Sequence, residues 1–233
     1  MMSRNISYTR TVVIPEHIYL KAEDRARKQK IYKKSHREDE ANGVGCLGEV
    51  IAEYWMSLHC IDYIVDLQCT THDYRVNGKT IDVKTKDRTV KPRREFDNSA
   101  PCYNHEHQRP DYFLFISLER DKHRKDKDLR RFHTANIVGG ISYSELNKIG
   151  LRFLEGEKDW RNGTKFWTDC LNVEMWQLIP VKEMIQIFRG ELSSPTREAE
   201  VNVPIINEMK LRINKGELKE RPLPIYTQGL SDL

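Results

Sequence analysis

The amino-acid sequence predicts a single α/β domain, on three observations. Strand-like stretches alternate along the chain with stretches of helical periodicity. Of the 233 residues, 38% are apolar, which is enough for a substantial core. No internal repeat or low-complexity tract interrupts the pattern. We therefore expect one core domain over 41–190, preceded by a segment over 1–40 and followed by a helix and an extended tail over 191–233.

Helical patterns occur in several places. A basic segment, roughly 15–37, has helical composition but little apolar stripe, so we expect a basic N-terminal helical arm that becomes ordered on a partner. The next stretch, NGVGCLGEVIAEYWMSLHC, opens with three glycines and continues as an apolar helix predicted from about Leu47 to Leu58, with both of these residues facing the core. Shorter helices are predicted over 144–150, with Ser142 or Ser144 as the cap, over 181–188, and within 204–216.

Strand-like segments fill most of the remainder. Runs rich in β-branched and aromatic residues occur at Tyr63–Leu67, Tyr74–Val76, Thr80–Thr85, Tyr112–Leu118 and Ala135–Ile141, and an irregular strand pair is predicted within Trp167–Leu178. The segment between Val90 and Arg109 contains prolines and asparagines and is predicted to be a long loop.

Composition excludes several classes of protein. No run of 18 apolar residues is present and the N-terminus lacks the apolar region of a signal peptide, so neither membrane insertion nor secretion is expected and the protein is predicted to be intracellular, in the cytoplasm. The five cysteines are odd in number and unevenly spaced, which favours reduced thiols over a disulfide framework.

Basic residues are concentrated in short runs, although the net charge is only +4. From Lys21 to Arg37 there are eight Lys or Arg against two acidic residues, and from Lys84 to Arg94 six against one. Each run by itself is typical of a solvated polar face. Two such runs on either side of one candidate site favour a partner that carries phosphates, because polyanion binding depends mainly on positive charge.

The candidate site is the stretch HDYRVNGKTIDVKTK, residues 72–86. Asn77-Gly78 between alternating residues predicts a two-residue type I′ turn, which places Asp73 directly across from Asp82. The period of two puts Lys84 on the same face as these carboxylates, while the apolar residues of both strands point to the other face. Directly opposed carboxylates repel each other, so a partner is needed to offset the repulsion.

A divalent cation such as Mg²⁺ would supply that partner, because it binds carboxylate oxygens and often completes its shell with substrate phosphates. Such a cation acidifies bound water and stabilises charge on a phosphate, and a nearby lysine can orient the water. The alternative without a metal is a surface hairpin with a lateral ion pair between Lys84 and Asp82.

These residues resemble the PD-(D/E)xK nuclease superfamily. Asp73 matches the first acidic residue of its motif and Asp82-Val83-Lys84 matches the (D/E)xK element, although His72 stands where the motif has proline. LGEVIAEYW, residues 47–55, resembles the helix before the sheet, and Glu49 matches the Glu that often joins the metal site; RPDYFLFISL, residues 109–118, resembles the next core strand. The resemblance covers about residues 42–118.

The resemblance implies a restriction-endonuclease-like fold, with a mixed central sheet flanked by helices, and a Mg²⁺-dependent DNA endonuclease in which Mn²⁺ can substitute. It implies that Glu49, Asp73, Asp82 and the carbonyl of Val83 hold the metal, with Lys84 acting on the attacking water; Glu53 is an alternative ligand. A homodimer is expected for double-strand cutting. Two alternatives stay open: a non-catalytic nucleic-acid-binding module, and a nuclease acting on branched DNA or RNA.

Two neighbouring features have weaker interpretations. Lys86 shares the face of Lys84 and is expected to meet the nucleic-acid backbone or solvent. Cys102, His105 and His107 suggest a zinc site, but no fourth ligand is evident and zinc usually takes four, so an ordinary loop is preferred.

Overall fold

The computed structural model describes residues 4–5, 10–28, 38–66, 69–102, 109–124 and 126–219. Nine strands are found in these residues: β1 Arg10–Val13, β2 Ile64–Val65, β3 Tyr74–Val76, β4 Lys79–Arg88, β5 Asp97–Pro101, β6 Tyr112–Arg120, β7 Phe132–Ser142, β8 Leu151–Phe153 and β9 Cys170–Glu174. Five α-helices accompany them: α1 Glu16–Lys28, α2 Glu38–Leu58, α3 Tyr143–Ile149, α4 Val181–Phe188 and α5 Val203–Asn214.

The strands form a six-stranded sheet in the order β1-β7-β6-β4-β3-β2 and a three-stranded sheet in the order β5-β9-β8. Strands β4 and β6 are parallel, and the other pairs in both sheets are antiparallel. The larger sheet is therefore mixed, with β4 and β6 at its centre. Helices pack on it, so the prediction of a mixed α/β fold with a sheet flanked by helices is confirmed at that level.

Two hydrophobic cores lie on opposite faces of the larger sheet, because successive side chains of a strand alternate between faces. Ile81 and Val83 of β4 belong to the core that contains α1, α2 and α4. Phe113 and Phe115 of β6 belong to the other core, which includes residues of the small sheet. Strand β4 thus has one face under the helices and its other face toward the small sheet.

Helix α1 is part of the folded core, so the interpretation of its residues as an arm is wrong. Ile18, Tyr19 and Ala22 are buried and pack against α2. The sequence showed little apolar stripe because Arg25 occupies the next position of that stripe and is buried as well. Residues 29–37 of the basic segment lie outside the described residues.

Helix α2 begins nine residues earlier than predicted and contains all three glycines of the stretch. Leu47 faces the core as predicted, but Leu58 is 53% exposed because the helix ends there. The predicted helix at Val181–Phe188 is confirmed to the residue, and Ser142 is the cap of α3, its hydroxyl accepting from the Glu145 N–H.

The segment predicted as a loop between Val90 and Arg109 contains strand β5, which pairs with β9. Local composition predicted a loop because Asn98 and Pro101 disfavour strands, but pairing in the small sheet outweighs that preference. The C-terminal helix is confirmed as α5, whose Ile206 and Met209 are buried, while the tail from residue 220 onward lies outside the described residues.

Candidate active site at the β3–β4 hairpin

The hairpin that carries the candidate residues has the predicted turn. Asn77 and Gly78 both have positive φ, 46° and 72°, as a type I′ turn requires. The register pairs Tyr74 with Ile81, Arg75 with Thr80 and Val76 with Lys79, as the turn predicted.

The fourth predicted pair, Asp73 directly opposite Asp82, is not formed, so that part of the prediction is wrong. Asp73 lies just before β3, and its N–H donates to the carbonyl of Ile81 at 2.9 Å, one residue short of Asp82. Its carboxylate turns toward β4, where Oδ2 accepts from the Val83 N–H at 2.7 Å. Asp73 therefore contacts β4 through its backbone N–H and its carboxylate, and not as a partner of Asp82, because the ladder between the two strands ends at Tyr74 and Ile81.

This ending creates a fork in the sheet. Strand β4 continues to Arg88 alongside β6, whereas its pairing with β3 covers only residues 79–81. Beyond Ile81, the edge of β4 opposite β6 is no longer paired with β3. Side chains from the helix face and from the small-sheet face of the sheet can meet at this edge. The candidate residues Asp73, Asp82 and Lys84 lie at this edge.

Helix α2 brings Glu49 to the same edge. The hydroxyl of Tyr74 donates to the Glu49 carbonyl at 2.9 Å, which ties the helix to the hairpin. One residue earlier, an added Cβ on Gly48 would lie 1.9 Å from Oγ1 of Thr85, so the helix backbone lies directly against β4. Glycine at 48 allows the close approach that puts Glu49 beside the fork.

The carboxylates of the site share an excess of negative charge. Burial, together with the charges of Asp82 and Glu49, raises the pKa of Asp73 well above its ordinary value, against the opposing effects of the Val83 N–H and of Lys84. Burial also raises the pKa of Glu49, and the charges of Asp82 and Glu53 add to that increase, although Arg25 opposes it. A cation that entered the site would stabilise the ionised carboxylates.

Lys84 and Asp82 form an ion pair, with 2.7 Å between Nζ and Oδ2. The surface-hairpin alternative predicted this contact, but its premise is wrong. Asp82 is only 5% exposed, and β4 lies between β3 and β6 inside the sheet. Charged groups are placed here despite the cost of burial, which is a common mark of functional positions.

Glu53, the alternative ligand, is engaged elsewhere. Its carboxylate accepts from the guanidinium of Arg25, from Lys21 at 2.5 Å and from the Tyr74 hydroxyl at 3.0 Å, and the residue is 2% exposed. These three contacts hold α1, α2 and the hairpin together. Glu53 therefore has a structural role, and Glu49 is the residue of α2 nearer to the candidate site's charges.

The donor set suits a hard divalent cation in kind, because it offers carboxylate oxygens and the backbone carbonyl of Val83. In the part of the chain that the structure describes, however, no three carboxylate, imidazole or thiol groups are gathered closely enough to hold a metal ion in the arrangement seen. Glu49 is turned to Arg25, at 3.3 Å, and Asp82 to Lys84.

Two residues near the site have surroundings that the sequence did not reveal. Arg25 was counted among surface cations, yet it is buried and donates to Glu49, Glu53 and Tyr74. Its position three residues after Ala22 on the buried stripe of α1 was the signal that could have revealed it. Lys86 is half-buried: it lines a cavity and donates to Ser99 Oγ at 3.0 Å.

The predicted electropositive surface over Lys21–Arg37 is largely neutralised where it is described. Lys21 and Arg25 pair with carboxylates of α2, and Arg27 and Lys28 pair with Asp24. Of the residues that suggested zinc, Cys102 is described, whereas His105 and His107 lie outside the described residues.

Neither a scan against protein-family models nor searches of curated proteins and of solved structures finds a match for this chain. None of the described helices combines the length and the apolar character needed to cross a membrane.

Proposed function

We propose that this protein is a Mg²⁺-dependent endonuclease that hydrolyses phosphodiester bonds in DNA, with a restriction-endonuclease-like core and a PD-(D/E)xK site. The observation that carries the proposal is the fork of β3 and β4, where Asp73, Asp82 and Lys84 converge on one strand edge with Glu49 beside them. Buried carboxylates without equal cationic compensation are what a site for a cationic cofactor requires before it is loaded.

Glu49, Asp73, Asp82 and the carbonyl of Val83 would hold the metal, and Mn²⁺ would substitute for Mg²⁺. When bound, the metal would neutralise the carboxylates, polarise the phosphodiester and lower the pKa of a water molecule. Glu49 would have to turn from Arg25 to reach the metal.

Lys84 is the group of this chain best placed to act on the attacking water. Its ammonium pairs with Asp82, so it is held at the metal-binding carboxylates while 27% of its side chain remains exposed. In that position it would orient the water and stabilise the developing negative charge on the phosphate. The backbone N–H of Val83 fixes Asp73, so the first carboxylate is preorganised by the strand that carries the other two groups.

The test is incubation of supercoiled plasmid with the protein in Mg²⁺, in Mn²⁺ and in EDTA. We expect nicked or linear product with either metal and none in EDTA. Asp82→Asn and Lys84→Met should each reduce cleavage by at least about 100-fold, because groups at such a site contribute several kcal/mol to the barrier and each 1.36 kcal/mol is tenfold in rate.

Matched controls are Asp62→Asn and Lys182→Met, both at exposed positions outside the hairpin. They should cleave as the wild type does. If Asp82→Asn and Lys84→Met retain full turnover while folded, the nuclease proposal is wrong. If neither the wild type nor any variant cleaves, but all of them shift DNA on a gel in a salt-dependent way, the protein is a nucleic-acid-binding module and not a nuclease.

Reactions on different nucleic acids distinguish the remaining alternatives for the substrate. Parallel reactions on linear duplex, single-stranded DNA, four-way junctions and RNA would show which nucleic acid is cut. Appearance of linear product directly from the supercoiled form would indicate two sites acting together, as in a homodimer, whereas accumulation of nicked product would indicate one site.

A further inference from the structure

A cavity of about 960 Å³ lies beside β4, starting at Thr85, the residue after Lys84. Its walls come mainly from β4, from the segment 89–97, from the segment 159–166 and from β9. Ligand sites in proteins commonly have volumes of about 300–1,000 Å³, so a molecule of nucleotide size would fit.

Two cations of this cavity bond only to neutral acceptors among the described residues. Lys86 Nζ donates to Ser99 Oγ at 3.0 Å. Arg88 donates to Ser117 Oγ at 3.2 Å and to the backbone carbonyl of Asp97 at 2.6 Å. Burial and the charge of Arg88 lower the pKa of Lys86 to about 8, and burial lowers the pKa of Arg88 to about 10, although the charge of Asp97 opposes both decreases.

Three of the carboxylates that line the cavity are gathered around a different cation. Arg161 pairs with Asp97 at 2.9 Å, with Asp159 at 2.7 Å and with Glu174 at 3.2 Å. One guanidinium thus serves three carboxylates. Burial raises the pKa of Asp97 and of Glu174, so both would gain from further hydrogen-bond donors.

The other charged residues that line the cavity belong neither to the pair Lys86 and Arg88 nor to the cluster around Arg161. Arg120 pairs with Asp87 at 2.8 Å, and Glu95 is exposed. The cavity therefore has a cationic part, Lys86 and Arg88, and an acceptor-rich part, the carboxylates around Arg161. A ligand that matches both must carry an anion and hydrogen-bond donors.

We propose that the cavity binds one nucleotide of the nucleic-acid strand, with its phosphate at Lys86 and Arg88 and its base at the carboxylates around Arg161. A phosphate accepts from ammonium and guanidinium groups in charge-assisted bonds. Bases with exocyclic amino groups donate to carboxylates, as cytosine does through N4, whereas thymine has no amino group. The pocket therefore prefers cytosine to thymine.

This inference rests on the proposed function for its biological meaning. Lys84 and Lys86 are two residues apart on one face of β4, so their Cα atoms are about 6.6 Å apart at the usual rise of a strand. A phosphate at Lys86 would thus lie on the same strand edge as the one attacked beside Lys84. Occupation of the cavity would position the substrate and bias the nucleotide next to the cut.

The experiment is calorimetric titration of the full chain, in EDTA and at pH 7, with deoxycytidine monophosphate, thymidine monophosphate, deoxycytidine and inorganic phosphate. We expect deoxycytidine monophosphate to bind more tightly than each of the other three, by at least about fivefold over the thymidine nucleotide because one good base contact is worth about 1–3 kcal/mol. Lys86→Met and Arg88→Met should each weaken it by at least about tenfold, since a bond to a charged group contributes about 1.5–3 kcal/mol.

Lys182→Met, at an exposed position of α4, should bind as the wild type does. The inference is overturned if the wild-type protein does not bind deoxycytidine monophosphate. It is also overturned if inorganic phosphate, deoxycytidine or thymidine monophosphate binds as tightly as deoxycytidine monophosphate. Both outcomes are measured on the wild type, so they do not depend on whether the variants fold. The titration in EDTA measures nucleotide binding without metal-dependent cleavage. Nucleotide binding can therefore be observed when the plasmid is not cut, and the plasmid can be cut when no nucleotide binds, so the failure of one proposal is distinguishable from the failure of the other.

Discussion

At the scale of single residues, the alternation along β4 explains how one strand serves two environments. Ile81 and Val83 point to the helices, and Asp82, Lys84 and Lys86 to the face toward the small sheet. The cost of burying charge differs along this face: Lys84 has a carboxylate partner, whereas Lys86 bonds to a hydroxyl. Lys86 is consequently the residue at which function and stability are expected to conflict.

Replacement of Lys86 tests that conflict. Its folded-state pKa is about 8 against an ordinary value of 10.5, so below pH 8 the ammonium is charged in both states and the full burial cost is present. Between pH 8 and 10.5 the unfolded chain holds a proton that the folded chain does not, so the contribution of this group to stability rises with pH.

Lys86→Met should therefore increase the free energy of unfolding at pH 7 by about 1–2 kcal/mol, and this gain should shrink by pH 9.5. Urea titrations of both proteins at the two pH values measure it, with Lys182→Met as the exposed control. A difference that is the same at both pH values would show that the charge of Lys86 is not the cause.

At the scale of elements, the packing of α2 on β4 depends on a glycine that helix propensity disfavours. Gly48 is inside the helix, yet an added Cβ would meet Oγ1 of Thr85 at 1.9 Å and its Cβ at 2.9 Å. Gly45, three residues earlier in the same helix, has no atom within 4 Å of such a Cβ. Alanine substitutions at these two positions therefore distinguish the effect of helix propensity on stability from the effect of packing against β4.

Gly48→Ala should destabilise the protein by about 1–3 kcal/mol, because forced overpacking outweighs the gain in helix propensity. Gly45→Ala should instead be stabilising, by up to about 1 kcal/mol. Urea-induced unfolding followed by circular dichroism measures both. Equal stabilities of the two variants would mean that α2 does not lie against Thr85 as the structure has it.

At the scale of the whole molecule, Arg25 joins three elements through buried charge. From α1 it donates to Glu49 and Glu53 of α2 and to Tyr74 of β3, and burial does not prevent these contacts from raising its pKa. The prediction of a basic N-terminal arm was wrong for this helix because Arg25 is buried against α2 and β3. The helix that appeared too polar to pack supplies the cation that the acidic helix needs.

Arg25→Met should lower the free energy of unfolding by about 3–5 kcal/mol, since loss of one partner leaves buried carboxylates uncompensated. The control is Arg27→Met, whose side chain is 76% exposed and which should change stability by less than about 0.5 kcal/mol. The double variant Arg25→Met/Glu53→Leu should recover part of the loss, because an apolar pair can replace a buried ion pair. A single variant as stable as the wild type would exclude this role for Arg25.

Sequence reasoning succeeded where the deciding interactions are local. Asn77-Gly78 dictated the turn and the three following pairs, and the alternation about it separated the apolar face of β4 from the charged one. The helix at Val181–Phe188 was also correct, because its proline start and apolar spacing are contained in eight residues. Local steric preferences and side-chain periodicity fix such features whatever lies around them.

Only the tertiary structure decided which charges meet. The side chain of Asp73 reaches Val83 because β3 leaves the ladder one residue too early for a direct pair, and Lys86 lines a cavity because a second sheet covers its side of β4. Neither fact is encoded near these residues. Pairing of distant strands and burial of distant charges depend on how the chain closes on itself, which the local pattern of residues cannot specify.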